Sequence, residues 1–359
     1  MKIPFPRMFP FKKQGRFLNY IEEQQEGFAG VVRMCTRAIF QRNTGIDELR
    51  AGWVTLPGAP HASETASGDD IPRIQWIGHS SFLITIGGFT VITDPIFGSS
   101  SWLFPRWTPP GISLDALPHI DAVLISHNHY DHLDIPSIRL IAKRNPLVQI
   151  FAPWGDRALL VRSGFSRVTE CMWWDDFSLV HDALKQKLEL YFLPAVHWSR
   201  RALFDRNRSL WGSWIVRVGE QAVYFAGDTA SGEHFKAIAH EFPSINTALM
   251  PVSPCEPRAS MRFVHLSAED AGEAFLALGA HRFVPMHWGT YHFGEDHPLV
   301  PIRRLTAWWE REKEQLLDRQ LALLKIGECC VCTPALPQKV EEQQSPLYVR
   351  PARESELAP

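Results

Sequence analysis

The chain has 359 residues, of which 45% are apolar and 21% charged, and its formal net charge is −2. That is an ordinary globular composition, long enough for a sizeable core without disulfide staples, and its charge gives no reason to expect a nucleic-acid partner. No window approaches 18 apolar residues, so no transmembrane helix is expected.

The opening MKIPFPRMFPFKKQGRF is basic, but prolines break it and it has no continuous apolar stretch, so it does not read as a secretory signal. An acid-free start would suit an organelle transit peptide, but serine is missing. Phe28, Val31, Val32, Cys35 and Ile39 fall at helical spacing with Arg33, Arg37 and Arg42 interleaved, which predicts a short basic amphipathic helix. It either packs on the protein's own surface or lies on an anionic membrane. Residues 57–70, PGAPHASETASGDD, read as a flexible linker.

From residue 71 short β-runs crowd together. Arg73–Ile77, Phe82–Ile86 and Thr90–Thr93 predict an antiparallel meander, and Ala122–Ser126 a further strand. Helices are expected at about 135–144 and 155–163, and strands at 188–195, 213–218 and 221–226. A helix at about 268–279 is introduced by a capping box of Ser267 and Asp270. A strand at 282–286, a helix at about 300–316 and a last strand near 320–326 follow. Strands mixed with helices in two successive halves fit a layered α/β sandwich. The chain thus divides into an N-terminal extension (1–70), a main domain (71–332) and a tail (333–359) rich in Pro, Gln and Glu, expected to be disordered. Six cysteines without a CxxC spacing suggest a reducing compartment rather than a disulfide framework. Cys329, Cys330 and Cys332 read as small apolar residues at the end of a last strand, with metal binding or lipidation as alternatives.

Histidine carries the chemistry. The run His127-Asn128-His129-Tyr130-Asp131-His132 follows a strand, where i and i+2 point the same way, so His127 and His129 can reach one metal together. The chain then turns, and Asp131 and His132 can reach a second. Three further polar residues each follow an apolar β-run: His197, Asp228 in AGDT, and His287. Imidazoles and carboxylates are the ligands zinc takes in catalytic sites. The expected assembly has His127, His129 and His197 on one zinc, Asp131, His132 and His287 on the other, and Asp228 bridging. Water between two such ions loses a proton near neutral pH and becomes a nucleophile, so no Ser or Cys nucleophile is required.

These residues carry a resemblance. The HxHxDH run with His197, Asp228 and His287 resembles the metallo-β-lactamase superfamily, and within it N-acyl-phosphatidylethanolamine-hydrolysing phospholipase D and its bacterial relatives. The phrases are ITDPIFGSS (92–100), LPHIDAVLISHNHYDHLD (117–134), WWDD (173–176), LWGSW (210–214), FAGDT (225–229), CEPRASMRFVHLSAEDA (255–271) and MHWGT (286–290), over about residues 72–327. The resemblance implies an αβ/βα four-layer sandwich and two Zn2+ on those seven residues. It implies a phospholipase D-type phosphodiesterase that yields phosphatidic acid and an N-acylethanolamine. Asp131 and His265 are the residues expected to carry catalysis. His265 would bind an anionic group or protonate a leaving oxygen, or else serve only as a helix-entry residue. His79, in GHSSF, is a candidate to support the metal pocket, and Arg258 to meet a phosphate or a structural carboxylate.

Two features depart from the family. The stretch after TDPIF is SSWLFPRWTPPG, with Arg106 as its one cation, and Cys255 stands where a tyrosine is expected. They open a second reading, a dizinc hydrolase of a soluble lactone, ester or cyclic phosphodiester. A diiron redox protein is disfavoured by His129 where such proteins carry glutamate, a nuclease by the absence of a basic patch, and a non-catalytic scaffold by the full ligand set. Trp102, Leu103, Phe104, Pro105 and Trp107 form either a membrane- or dimer-facing lip or ordinary packing. Trp173, Trp174, Trp211, Trp214 and Trp288 read as core and pocket wall. The expected partners are a phospholipid or small phosphodiester substrate, no nucleic acid, and by analogy a second copy in a homodimer. The expected location is cytoplasmic, with peripheral contact at a membrane.

Overall fold

The computed structural model describes residues 7–20, 45–55, 70–102 and 104–332. The helix expected around Phe28–Ile39, nearly all of the linker, Leu103 and the tail 333–359 lie outside them.

A small hairpin comes first, β1 (Phe11–Lys13) paired with β2 (Arg16–Leu18), followed by a helix α1 (Ile46–Trp53). Two seven-stranded sheets follow. The first is built from β3 (Arg73–Gly78), β4 (Ser81–Ile86), β5 (Phe89–Thr93), β6 (Ala122–Leu124), β7 (Gln149–Pro153) and β8 (Val168–Cys171), and the chain's last strand, β16 (Cys329–Val331), adds to its β3 edge. The second runs from β9 (Asp175–His181) through β10 (Gln186–Leu193), β11 (Ser213–Val218), β12 (Gln221–Phe225), β13 (Thr247–Pro251) and β14 (Arg282–Met286) to β15 (Gln320–Leu321). Each sheet is antiparallel over one part and parallel over the other. The meander expected from the first three runs is β3-β4-β5.

The layers follow from period-two patterning. Ile74, Trp76, Phe82, Ile84, Val91 and Leu124 face the second sheet, whereas Ile77, Leu83, Ile92, Val123 and Ile125 face the helices α2 (Ile135–Arg144) and α3 (Arg157–Arg162). Beyond the second sheet pack α4 (His234–Glu241), α6 (Ala268–Leu278) and α7 (Val300–Arg311), through Phe235, Phe275, Leu305 and Trp308; a short α5 (Arg258–Met261) precedes α6. This is the four-layer α/β sandwich. Each fully buried Leu, Ile or Phe between layers contributes roughly 1.5–3 kcal/mol. Four of the five tryptophans expected in the core are buried, and Trp174 is partly buried against it.

The last strand differs from expectation. The run 320–326 forms a strand only at Gln320–Leu321, and a turn through Gly327, at φ +95°, carries the chain back to the first sheet. Cys329–Val331 then pairs with β3. The cysteines thus lie in a closing strand, with Cys332 buried just beyond it. Among the described residues no helix is long and apolar enough to cross a membrane.

Candidate metal centre

Their pairings make β3, β5 and β6 run in one direction in the first sheet and β10, β12 and β14 in one direction in the second, and the contacts between the residues that follow them bring the six ends to one edge of the sandwich. One to four residues past each C-terminal end stands a polar residue: His79, Asp94, His127, His197, Asp228 and His287. His129, Asp131 and His132 follow in the loop before α2, whose start is fixed by Asp134 accepting from the Ser137 amide at 3.0 Å. His79, Asp94 and His287 have positive φ of 54°, 34° and 65°. Such backbone costs about 1–3 kcal/mol per non-glycine residue, and it collects here.

The side chains converge. His127 Nε2 lies 2.8 Å from His129 Nδ1, and His197 Nε2 lies 3.3 Å from that same atom. Asp228 Oδ2 is 3.3 Å from His132 Nε2, 3.1 Å from His287 Nε2, 3.9 Å from His127 Nε2 and 3.7 Å from His197 Nε2. Asp131 Oδ2 is 3.4 Å from His132 Nε2 and 3.9 Å from His287 Nε2. His127, His129 and His197 therefore form one cluster and Asp131, His132 and His287 another, with His79 joining the second. Asp228 stands between them. All seven residues singled out in the sequence are brought together, and His265 lies beside them, its Nδ1 3.8 Å from Asp228 Oδ2.

Outer contacts set the ring orientations. The Nδ1 atoms of His127, His132, His197 and His287 lie against Ser126 Oγ (2.9 Å), Asp94 Oδ2 (2.7 Å), the Val264 carbonyl (2.8 Å) and the Ser253 carbonyl (2.8 Å). With Nδ1 occupied, each Nε2 lone pair points inward, as metal-ligating histidines require. Asp94 also accepts from the Ser126 amide at 2.7 Å and hydroxyl at 2.6 Å; burial pushes its carboxyl up, while its donors favour the carboxylate. His79 Nε2 is 3.0 Å from Asp131 Oδ2 and fixes that carboxylate.

The donor set fits a divalent cation. Buried His129 Nε2, His132 Nε2, His287 Nε2 and Asp228 Oδ1 have no hydrogen-bond partner, a costly arrangement unless an ion satisfies such atoms. Burial, with the neighbouring imidazoles, holds His127 well below its ordinary pKa; burial, against the pull of nearby carboxylates, pushes His129 and His197 down to about 3. Neutral rings are the ligand form. At His132 burial also disfavours the charged ring, but Asp228 and Asp131 override it and hold the pKa well above the ordinary value. Two buried carboxylates demand positive charge among them, which is what a metal supplies.

A family described as "Beta-lactamase superfamily domain" matches residues 90–288. The chain belongs to the metallo-β-lactamase superfamily. It is a metal-dependent hydrolase of that superfamily. A relative from Caenorhabditis elegans, named N-acyl-phosphatidylethanolamine-hydrolyzing phospholipase D 1, is 31% identical over 265 residues, covering 70% of this chain and 74% of its own. A mitochondrial relative of the same activity name from Saccharomyces cerevisiae is 29% identical, covering 68% of this chain and 54% of its own. Among solved structures, the metallo hydrolase Igni18 of Ignicoccus hospitalis superposes with a TM-score of 0.54 at 22% identity, covering 72% of this chain and 97% of its own.

The superfamily phrases now have physical roles. In LWGSW, the Gly212 amide donates to the Ser126 carbonyl at 2.9 Å and Trp214 Nε1 to the Ile125 carbonyl at 3.0 Å, so the second sheet buttresses the first metal-bearing loop. In FAGDT, Gly227 has φ +59°, and a Cβ there would come within 2.5 Å of Ser126. Arg258 bonds Asp270 and the His265 carbonyl (3.0 Å), the structural role. The Ser267–Asp270 capping box is present. Arg106 turns inward to the carbonyls of Ile77, Ile96 and Thr108. In the aromatic loop, Trp107 is buried against His292 and Trp102 is exposed, so that segment divides between packing and surface. Asp94 is the functional residue that the sequence does not single out, although it follows a β-run in the same way as the three single ligand candidates.

Proposed function

We propose that this protein is a dizinc phosphodiesterase of the phospholipase D type, acting on N-acyl-phosphatidylethanolamine-like lipids to give phosphatidic acid and N-acylethanolamine. One observation carries the reading: seven imidazole and carboxylate groups form two clusters meeting at Asp228, in a chain 31% identical to a relative named for this reaction. Neutral nitrogens with carboxylates favour zinc. Bound there, zinc ions acidify water and stabilise charge developing on phosphoryl oxygens.

The chain's own groups do the rest. His79 holds Asp131, and Asp94 holds His132, so the donors are fixed before substrate arrives. His265 presents a buried, unpartnered Nδ1 beside Asp228. Burial pushes that ring down to about 3, although Asp228 pulls the other way, so it rests neutral. An entering phosphate favours the charged ring, and His265 can then deliver a proton to the leaving alkoxide oxygen. The Trp198 ring lies 4.3 Å from His129, and the Phe293 ring 5.7 Å from His79, giving apolar walls suited to acyl chains.

Zinc-loaded protein incubated with N-acyl-phosphatidylethanolamine in mixed micelles should yield equal amounts of phosphatidic acid and N-acylethanolamine by mass spectrometry. Asp131→Asn should abolish both products and weaken metal binding; full activity in that variant would overturn the dizinc assignment. His265→Ala should cost about 10²–10⁴ in kcat at unchanged metal content. The inward turn of Arg106, which leaves the loop after TDPIF without an outward cation among its described residues, favours a second reading: a soluble ester, lactone or cyclic phosphodiester substrate. Lack of lipid cleavage by protein carrying two zincs would select it.

A further inference from the structure

Two segments distant in sequence meet beside the metal centre. The hairpin Arg7–Leu18 joins the loop Trp198–Arg208 through Arg16, whose guanidinium donates to the carbonyls of Phe204 and Arg206, and through the Phe17 amide, which donates to the Asn207 carbonyl at 2.7 Å. The loop is held from below: Asp205 accepts from the amides of Arg201 and Ala202, and Arg201 reaches the carbonyls of Asn128 and Leu133 in the metal-bearing loop. Its first residue, Trp198, is the wall beside His129.

The joined surface is apolar and cationic. Phe9, Phe11, Leu203 and Phe204 are 67%, 62%, 70% and 77% exposed. Lys13 and Arg208 are exposed among them, Arg200 is half-buried, and the exposed Lys12 lies with its ammonium over the Phe17 ring, 4.2 Å from its centre. The two segments contain eight Arg and Lys residues and one carboxylate, Asp205, which is turned to the loop backbone. Arg7 pairs with Glu241, Arg16, Arg200 and Arg201 bond backbone carbonyls, and Arg206 lies over the Trp198 ring, so Lys13 and Arg208 are the cations most open to water on this face. A rigidly held rim that shows large apolar side chains to water, ringed by cations, matches the boundary of an anionic bilayer: the rings enter the acyl margin and the cations meet lipid phosphates.

We propose that this face, Phe9–Lys13 with Leu203 and Phe204, docks the protein on an anionic lipid surface and brings the bilayer to the rim of the metal centre. The proposal deepens the phospholipase reading and rests on it only for the nature of the substrate drawn from that bilayer. It differs from the two lipid-facing candidates of the sequence, the 28–39 helix and the 102–107 loop.

The test uses the full, metal-loaded chain in sedimentation with vesicles of phosphatidylcholine alone or mixed with phosphatidylglycerol. Binding should require the anionic lipid and weaken with salt. The double variants Leu203→Ser/Phe204→Ser and Lys13→Glu/Arg208→Glu should each bind mixed vesicles about tenfold more weakly, with unchanged melting temperature and unchanged turnover of bis(p-nitrophenyl) phosphate. Equal binding to neutral vesicles, or wild-type binding by both variants, would overturn the docking surface. So would loss in the charge variant alone, matched on heparin, because the face would then be a general polyanion surface. Vesicle binding as expected without cleavage of N-acyl-phosphatidylethanolamine would leave the docking face standing and remove the lipid-substrate reading.

Discussion

Asp94 groups closely with His127 and His132, and its hydrogen bonds account for much of how the centre is held. It accepts from the Ser126 amide and hydroxyl and from His132, and so ties the strand before the HxHxDH run to the ring that faces Asp228. Asp94→Ala should weaken zinc binding about 10–100-fold in competition with a chelator, while the fold persists. An unchanged affinity would mean that His132 is oriented by its surroundings alone. At this scale most of the centre was legible in the sequence, because ligand-type residues directly after apolar β-runs are displayed at a sheet edge. Asp94 obeys the same rule after β5, and His79 after β3. His79 is legible as a pocket candidate, but its partner is not, and Asp94 lies hidden in the TDPIF run, because the partners, Asp131 and His132, are 52 and 38 residues away. Arg106 was legible as a cation but not as a buried one, since only the fold reveals that three carbonyls await it.

Elements next. The helices and strands with strong periodicity appear close to where the sequence puts them, including 135–144, 213–218 and 282–286. The strands β7, β8, β9 and β13 were not read. β9 alternates exposed and half-buried residues at a sheet edge, and β13, TALMP, is wholly buried and lacks an alternating pattern. The hairpin went unread for another reason: its prolines and lysines conceal that Phe17 is buried. Its tail also braces the centre. Asn19 Nδ2 donates to the His197 carbonyl at 2.8 Å, and Tyr20 Oη lies 2.7 Å from His234 Nδ1, whose Nε2 lies 3.2 Å from Thr229 Oγ1, next to Asp228. Removing residues 1–20 should therefore lower zinc content after dialysis severalfold as well as vesicle binding. Full zinc retention would confine the segment to the surface.

For the molecule as a whole, stability is coupled to pH through a buried carboxyl under the metal-bearing loop. Asp156 accepts from Asn128 Nδ2 at 2.8 Å and Ser209 Oγ at 2.7 Å, and burial outweighs these donors to push its pKa up to about 7. A carboxyl raised on folding stabilises the native state fully below its ordinary value of 3.8, and that contribution is lost as pH climbs through about 7. The neutral, nearly isosteric Asp156→Asn should flatten this slope. It should be more stable than wild type at pH 8, by on the order of 3 kcal/mol, and nearly equal to it at pH 4. A parallel pair of melting curves across that range would show that Asp156 titrates normally.

The metal-ligand candidates come from both sheets, and this sets an order in time. His127 to His132 belong to the first half of the chain, but His287 follows β14, late in the second. At the usual pace of synthesis the ribosome needs roughly 8–30 s to travel from the first to the last. Throughout that interval the nascent chain carries imidazoles that any first-row divalent ion can hold loosely. The complete cage exists only once His287 has emerged, so the choice among competing metals is made by the finished protein rather than during its birth.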